Sequence, residues 1–107
     1  MTYSEMLDYI KHKVSHKERL AQLAEEATEL AHAALKCRRA LDDENPTPVS
    51  RIEAFKNLIE EIDDVALSLE TLALKWRIEF CSSSRERKLK RWVERLKKAQ
   101  KGEHINA

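Results

Sequence analysis

The sequence predicts an all-α protein, an antiparallel helical bundle of about four helices built round a long helical hairpin and completed by oligomerisation. Three observations carry that prediction. The 107 residues include one Gly and two Pro, too few turn formers for the closely spaced strands of a sheet protein. The chain is 42% hydrophobic and 36% charged, with few aromatic residues, the balance expected of amphipathic helices. Finally, a Ser or Thr is followed three residues later by Glu at Thr2/Glu5, Ser15/Glu18, Ser50/Glu53 and Ser83/Glu86, the pairing that satisfies free backbone N–H groups at a helix start.

Four helices follow, over residues 3–14, 16–41, 50–80 and 84–101. The first begins behind Thr2 and the second behind Ser15. At ~100° per residue, Leu20, Leu23, Ala27, Leu30, Ala34 and Leu41 share one face of the second helix. Next comes DDENPTPVS (42–50), where Pro46 and Pro48 forbid helix and the polar cluster favours a loop. The third helix starts behind Ser50 and aligns Phe55, Leu58, Ile62, Val65, Leu69, Leu72 and Trp76. A loop of this length returns the chain antiparallel, so the two long helices should pack along these stripes. The fourth helix starts behind Ser83. Residues 1–81 thus form a helical core and 82–101 a basic amphipathic helix, with GEHINA (102–107) fraying as a disordered tail.

Composition limits what such a bundle does. A chain this short buries only ~60–70% of its unfolded surface by folding alone, so self-association would help it. Its apolar runs are too short to span a membrane, and MTYSEMLDYIKHK has no signal-peptide core; a cytoplasmic location is expected. Cys37 and Cys81 are too few and too far apart for a zinc site or redox pair and should be inert, helix-packed thiols. Charge is uneven. Residues 1–84 carry 11 Lys or Arg against 16 Asp or Glu, a net −5, whereas residues 85–107 carry 9 against 3, a net +6.

The acidic body writes one pattern twice: LAEEATEL (Leu23–Leu30) and, thirty-five places on, LIEEIDDV (Leu58–Val65). Glu26 lies at the border of the apolar stripe, with Glu29 ~60° round and one turn along; Glu61 and Asp64 take the corresponding places on the third helix. If the two flanks meet, four carboxylates converge beside a hydrophobic core and repel one another until cations bind. A hard divalent ion such as Mg²⁺, which takes oxygen ligands and keeps waters and phosphates as further ligands, suits this set. A lone ExxE is commonly a solvated surface; two copies at one wheel angle are what point to a metal.

EEATELAHAALK (Glu25–Lys36), then a polar loop, then NLIEEIDDVALSLE (Asn57–Glu70), resembles the MazG-like branch of the all-α nucleoside triphosphate pyrophosphohydrolases, whose hallmark is EExxE followed by ExxD. The resemblance covers about Leu20–Leu72. It implies Mg²⁺, with Mn²⁺ as a substitute, held by Glu26, Glu29, Glu61 and Asp64. It also implies hydrolysis of a nucleoside triphosphate between the α- and β-phosphates, in a homodimer or homotetramer with sites close to subunit interfaces. The interval from Glu29 to Glu61 is long for the family, with DDENPTPVS as the extension. Glu26 would act in catalysis through the metal, and Glu25 either orients water or is merely solvated. Lys36, two turns beyond Glu29, and Asn57, one turn before Glu61, are the candidate contacts to phosphate or sugar, or else surface polar residues.

Other features offer competing readings. Glu29 and His32 have the ExxH spacing of ferritin-like di-iron bundles, but the equivalent of His32 on the third helix is Leu67. His12 and His16 lack a supporting metal motif. The tail places Leu89, Trp92, Val93 and Leu96 on one face and nine basic residues mostly elsewhere. Such a helix can meet nucleic acid, an anionic membrane or an acidic partner; packing on the acidic body or a second subunit, anchored by Trp92, is the favoured reading. No aromatic interleaving suggests base stacking. The alternative to a hydrolase is a non-catalytic helical interaction module with a basic docking helix.

Overall fold

The computed structural model describes residues 1–42, 50–72 and 77–106, with backbone only at 77–83 and 103–106. The described residues form helices α1 (Tyr3–Lys13), α2 (His16–Ala40), α3 (Arg51–Leu72) and α4 (Arg77–Asn106), with no strand among them. The all-α expectation therefore holds, and α2 packs on α3. The expected proline loop, Trp76 and the packing of Cys81 lie outside the described residues.

Three of the four expected helix starts form as predicted. Thr2 Oγ1 accepts from Glu5 N at 3.1 Å while Glu5 Oε1 accepts from Thr2 N at 3.1 Å, a complete capping box. Ser15 Oγ accepts from Glu18 N at 3.1 Å and Ser50 Oγ from Glu53 N at 3.2 Å. The fourth does not: α4 runs unbroken through 82–84 and continues to Asn106, so neither a new helix at 84 nor a frayed 102–106 is observed. A serine inside a helix costs only about half a kcal/mol against Ala, less than stopping and renucleating a helix. A Ser-x-x-Glu spacing marks a start only where the preceding backbone is already non-helical.

The chain forms two compact units, Met1–Ala73 and Leu74–Ala107, divided earlier than the expected boundary after residue 81. In the first, α2 and α3 run antiparallel. Cys37 Sγ donates to Ala54 O at 3.1 Å near one end, and Arg19 donates to Thr71 O near the other. Arg19 Nε also donates to Val14 O at 3.1 Å, so one guanidinium ties the α1–α2 turn to Thr71 near the end of the described α3. α1 lies against α3, and the Tyr3 hydroxyl donates to the Glu70 carboxylate. In the second unit, Leu89, Trp92, Val93 and Leu96 of α4 are exposed.

The helix-packing face departs from expectation. Among the less exposed positions, Leu23, Glu26, Leu30, Ala33 and Cys37 of α2 and Ala54, Leu58, Glu61, Val65, Ser68 and Leu72 of α3 form two facing sets, with Arg19, Ala40, Leu69 and Thr71 shielded beside them. Both sets step alternately by three and four residues, the spacing of a coiled-coil seam. Leu20, Leu41, Phe55 and Ile62, expected inside, are exposed, as are Ala27 and Ala34. Each helix is apolar over more than one arc, and periodicity alone does not say which arc meets the partner. The arc chosen carries the small residues Ala33, Cys37, Ala54 and Ser68, all buried, which let the helices approach closely.

Candidate metal centre

That choice of seam moves two carboxylates from the border to the interface. Glu26 and Glu61 occupy seam positions on facing helices, between Leu23 and Leu30 on one side and Leu58 and Val65 on the other. With Glu29 they bring three carboxylate oxygens within 4.8 Å of one another. Glu26 Oε2 and Glu61 Oε2 are buried and have no hydrogen-bond partner among the described residues. A buried carboxylate oxygen without a donor or a cation costs free energy, so the fold itself carries a deficit of positive charge here.

Glu26 is the pivot. Its other oxygen accepts from Gln22 Nε2 at 2.8 Å, one turn back on α2. Burial raises its pKa, and the charges of Glu29, Asp64 and, least, Glu25 push in the same direction, against the lowering effect of Gln22. Protonation or a bound cation would relieve both the burial cost and the repulsion. Gln22 was not among the sequence candidates; the legible signal is its i, i+4 spacing to Glu26.

Asp64, expected as a fourth ligand, is exposed and outside the three-oxygen group, although close enough to bias Glu26. Glu25 is exposed. Lys36 and Asn57 do come to the site: with Glu29, His32, Ala33, Ala54 and Glu61 they line a cleft of about 230 Å³. His32, read from sequence only as half of an incomplete di-iron motif, stands in the same cleft. Glu26 and Asp64 instead line a larger, mainly apolar cleft of about 740 Å³ whose other wall is α1, including Met6, Tyr9 and Ile10. The acidic cluster thus separates a small polar cleft from a larger apolar one, both on the same side of the α2–α3 pair.

Three converging carboxylates with open space beside them could hold a divalent cation, with water or phosphate completing its shell. Comparison with family models, with curated proteins and with solved structures gives no match, so any function for this centre is argued from its own residues and from the resemblance in its motifs.

Proposed function

We propose that the chain is a Mg²⁺-dependent nucleoside triphosphate pyrophosphohydrolase of MazG-like type, converting (d)NTP and water to (d)NMP and pyrophosphate. The single observation that carries this reading is the convergence of Glu26, Glu29 and Glu61, whose carboxylates approach within 4.8 Å, with an oxygen of Glu26 and one of Glu61 buried and without a partner among the described residues. These three residues would hold the cation, with Asp64 flanking them. A bound divalent ion supplies Lewis acidity toward phosphoryl oxygen and lowers the pKa of water.

The remaining roles belong to the chain. Lys36 brings a positive charge to the cleft that Glu29 and Glu61 share, placing it to meet phosphate oxygens, and Asn57 offers both a donor and an acceptor to phosphate or sugar. Water attacks the α-phosphorus as the bond to the bridging oxygen of the β-phosphate breaks, and pyrophosphate leaves. Charge stabilisation dominates such transfers. Glu25, exposed one residue from Glu26, is positioned at most to orient water.

The test is pyrophosphate release from a panel of NTPs and dNTPs, with and without Mg²⁺, using Glu61→Gln as control. The expected result is turnover that requires the cation and falls at least ~100-fold in the variant. Absence of turnover with every nucleotide, together with no thermal shift on adding Mg²⁺, would favour the non-catalytic interaction module, for which the exposed apolar stripe of the basic α4 is the supporting feature.

A further inference from the structure

Helix α4 carries an amphipathic stretch that the candidate metal centre does not use. Every residue from Arg85 to Lys101 is exposed, and among them Leu89, Trp92, Val93 and Leu96 are 60, 63, 41 and 54% exposed. At ~100° per residue these four fall in the order Trp92, Leu96, Leu89, Val93 across an arc of ~100°. Ala99 extends the arc beyond Trp92. Arg85, one turn before Leu89, and Gln100, one turn after Leu96, lie on the same arc and close its two ends. Lys88 and Arg95 border the Trp92 edge, and Glu86, Lys97 and Lys90 border the Val93 edge. The rest of the circumference holds Arg87, Arg91, Lys98 and Lys101 together with Glu94. Nine basic residues against two acidic ones give residues 85–101 a net charge of +7.

We infer that α4 lies flat on an anionic lipid bilayer, its apolar arc sunk at the headgroup boundary and its bordering cations against the lipid phosphates. It lies on the bilayer rather than across it, since no described helix is long and apolar enough to cross a membrane. Leu and Trp on one face with Lys and Arg on the other are the pattern of an interfacial helix. Trp is suited to the headgroup level, and border lysines bury their stems while keeping the ammonium in water. Charge complementarity selects the occupant. A nucleic acid held by the cations would leave the four apolar side chains in water, and one aromatic makes no stacking platform. An acidic protein groove would take the apolar arc and its borders but leave Arg87, Lys98 and Lys101 behind. The potential of an anionic leaflet reaches ~8–10 Å, about the width of a helix, so it attracts cations on every side of α4. Four large apolar residues within about two turns are too few to hold the helix on neutral lipid, so binding should require both the arc and the charge. This inference is independent of the hydrolase reading and departs from the expectation that Trp92 anchors α4 on the acidic body or a second subunit.

Co-sedimentation of the full chain with phospholipid vesicles tests it. With ~30% phosphatidylglycerol in phosphatidylcholine, the chain should partition at least ~10-fold more strongly than onto phosphatidylcholine alone, and the preference should fall as salt rises. In a Trp76→Phe background, the emission of Trp92 should move to shorter wavelength on binding. Leu96→Asp, and separately Lys90→Glu with Lys97→Glu, should lower partitioning by ~10-fold or more. Ile59→Asp, at an exposed position of α3, should leave it unchanged. Were Leu96→Asp to lose helicity at 222 nm, the helix-compatible Leu96→Ala should still lower partitioning by ~3-fold. No partitioning onto anionic vesicles at ~1 mM lipid would overturn the inference and return α4 to a protein partner. Partitioning that survives Leu96→Asp, or a single-stranded RNA bound more tightly than the vesicles and indifferent to Leu96, would overturn it equally.

Discussion

Glu26 concentrates the conflict between folding and function in one side chain. Burial and the neighbouring carboxylates raise its pKa, which fixes the sign of its effect on stability. In the window between the ordinary carboxylate value, about 4.3, and the higher folded value, the folded state binds the proton more tightly than the unfolded state. Stability contributed by the protonated form is full below that window and is lost as pH rises through it. Glu26→Gln removes the loss. With a chelator present, the variant should therefore melt at a higher temperature than the wild type at about pH 7, and the advantage should vanish near pH 3, below the carboxylate range. Adding Mg²⁺ at neutral pH should stabilise the wild type and leave the variant little changed. Thermal melts across pH check all three statements; an advantage for the variant that persisted unchanged into acid would place the effect in packing rather than charge.

Helices α2 and α3 position the site by how closely they approach, and that closeness rests on small residues. Ala54 is 2% exposed and its carbonyl receives the Cys37 thiol. Ala54→Leu should force the seam apart, lowering stability by about 1–3 kcal/mol in urea titration, and should weaken the Mg²⁺-linked thermal shift by separating Glu29 from Glu61. At the far end of α4, a Cβ built on Gly102 meets nothing within 4 Å. Gly102→Ala should accordingly stabilise that helix by about 1 kcal/mol, visible as added ellipticity at 222 nm; a frayed tail would give no change. These two sites also show what was legible in the sequence. The capping pairs at Thr2, Ser15 and Ser50 announced three helix starts because capping is local, within four residues. The seam was not legible, since Phe55 and Ile62 are as apolar as Leu58 and Val65 and only contact between helices selects one arc over the other. The same ambiguity kept Glu26 and Glu61 at the border in the sequence, when packing puts them at the interface. Glu29, Lys36 and Asn57 line one cleft, as their shared side of the two helices, legible in the spacing, allows.

At the scale of the whole chain, the division of charge follows the division into units. The acidic pattern and both clefts belong to Met1–Ala73, while nine of the basic residues lie beyond residue 84 in α4. Every group invoked for cation binding therefore sits in one unit, held by contacts made within it: the α2–α3 seam, the Arg19 bridge to Thr71 and the Tyr3–Glu70 hydrogen bond. The Glu70 carboxylate accepts a hydrogen bond from the Tyr3 hydroxyl and raises the phenol's pKa. A chain ending at Ala73 is thus expected to remain helical and to keep its thermal shift with Mg²⁺. What it should lose is any process driven by the basic helix. If Leu89, Trp92 and their cationic neighbours serve a polyanion, binding of the full chain to it should fall steeply with salt, as counterion release requires, and the shortened chain should not bind at all. A shortened chain that stayed folded but no longer responded to Mg²⁺ would mean that α4 supplies part of the centre, and the three-carboxylate assignment would need a contribution from that helix. Retention of the shift, with loss of polyanion binding alone, would separate the two halves of the molecule into a cation-binding body and a docking arm.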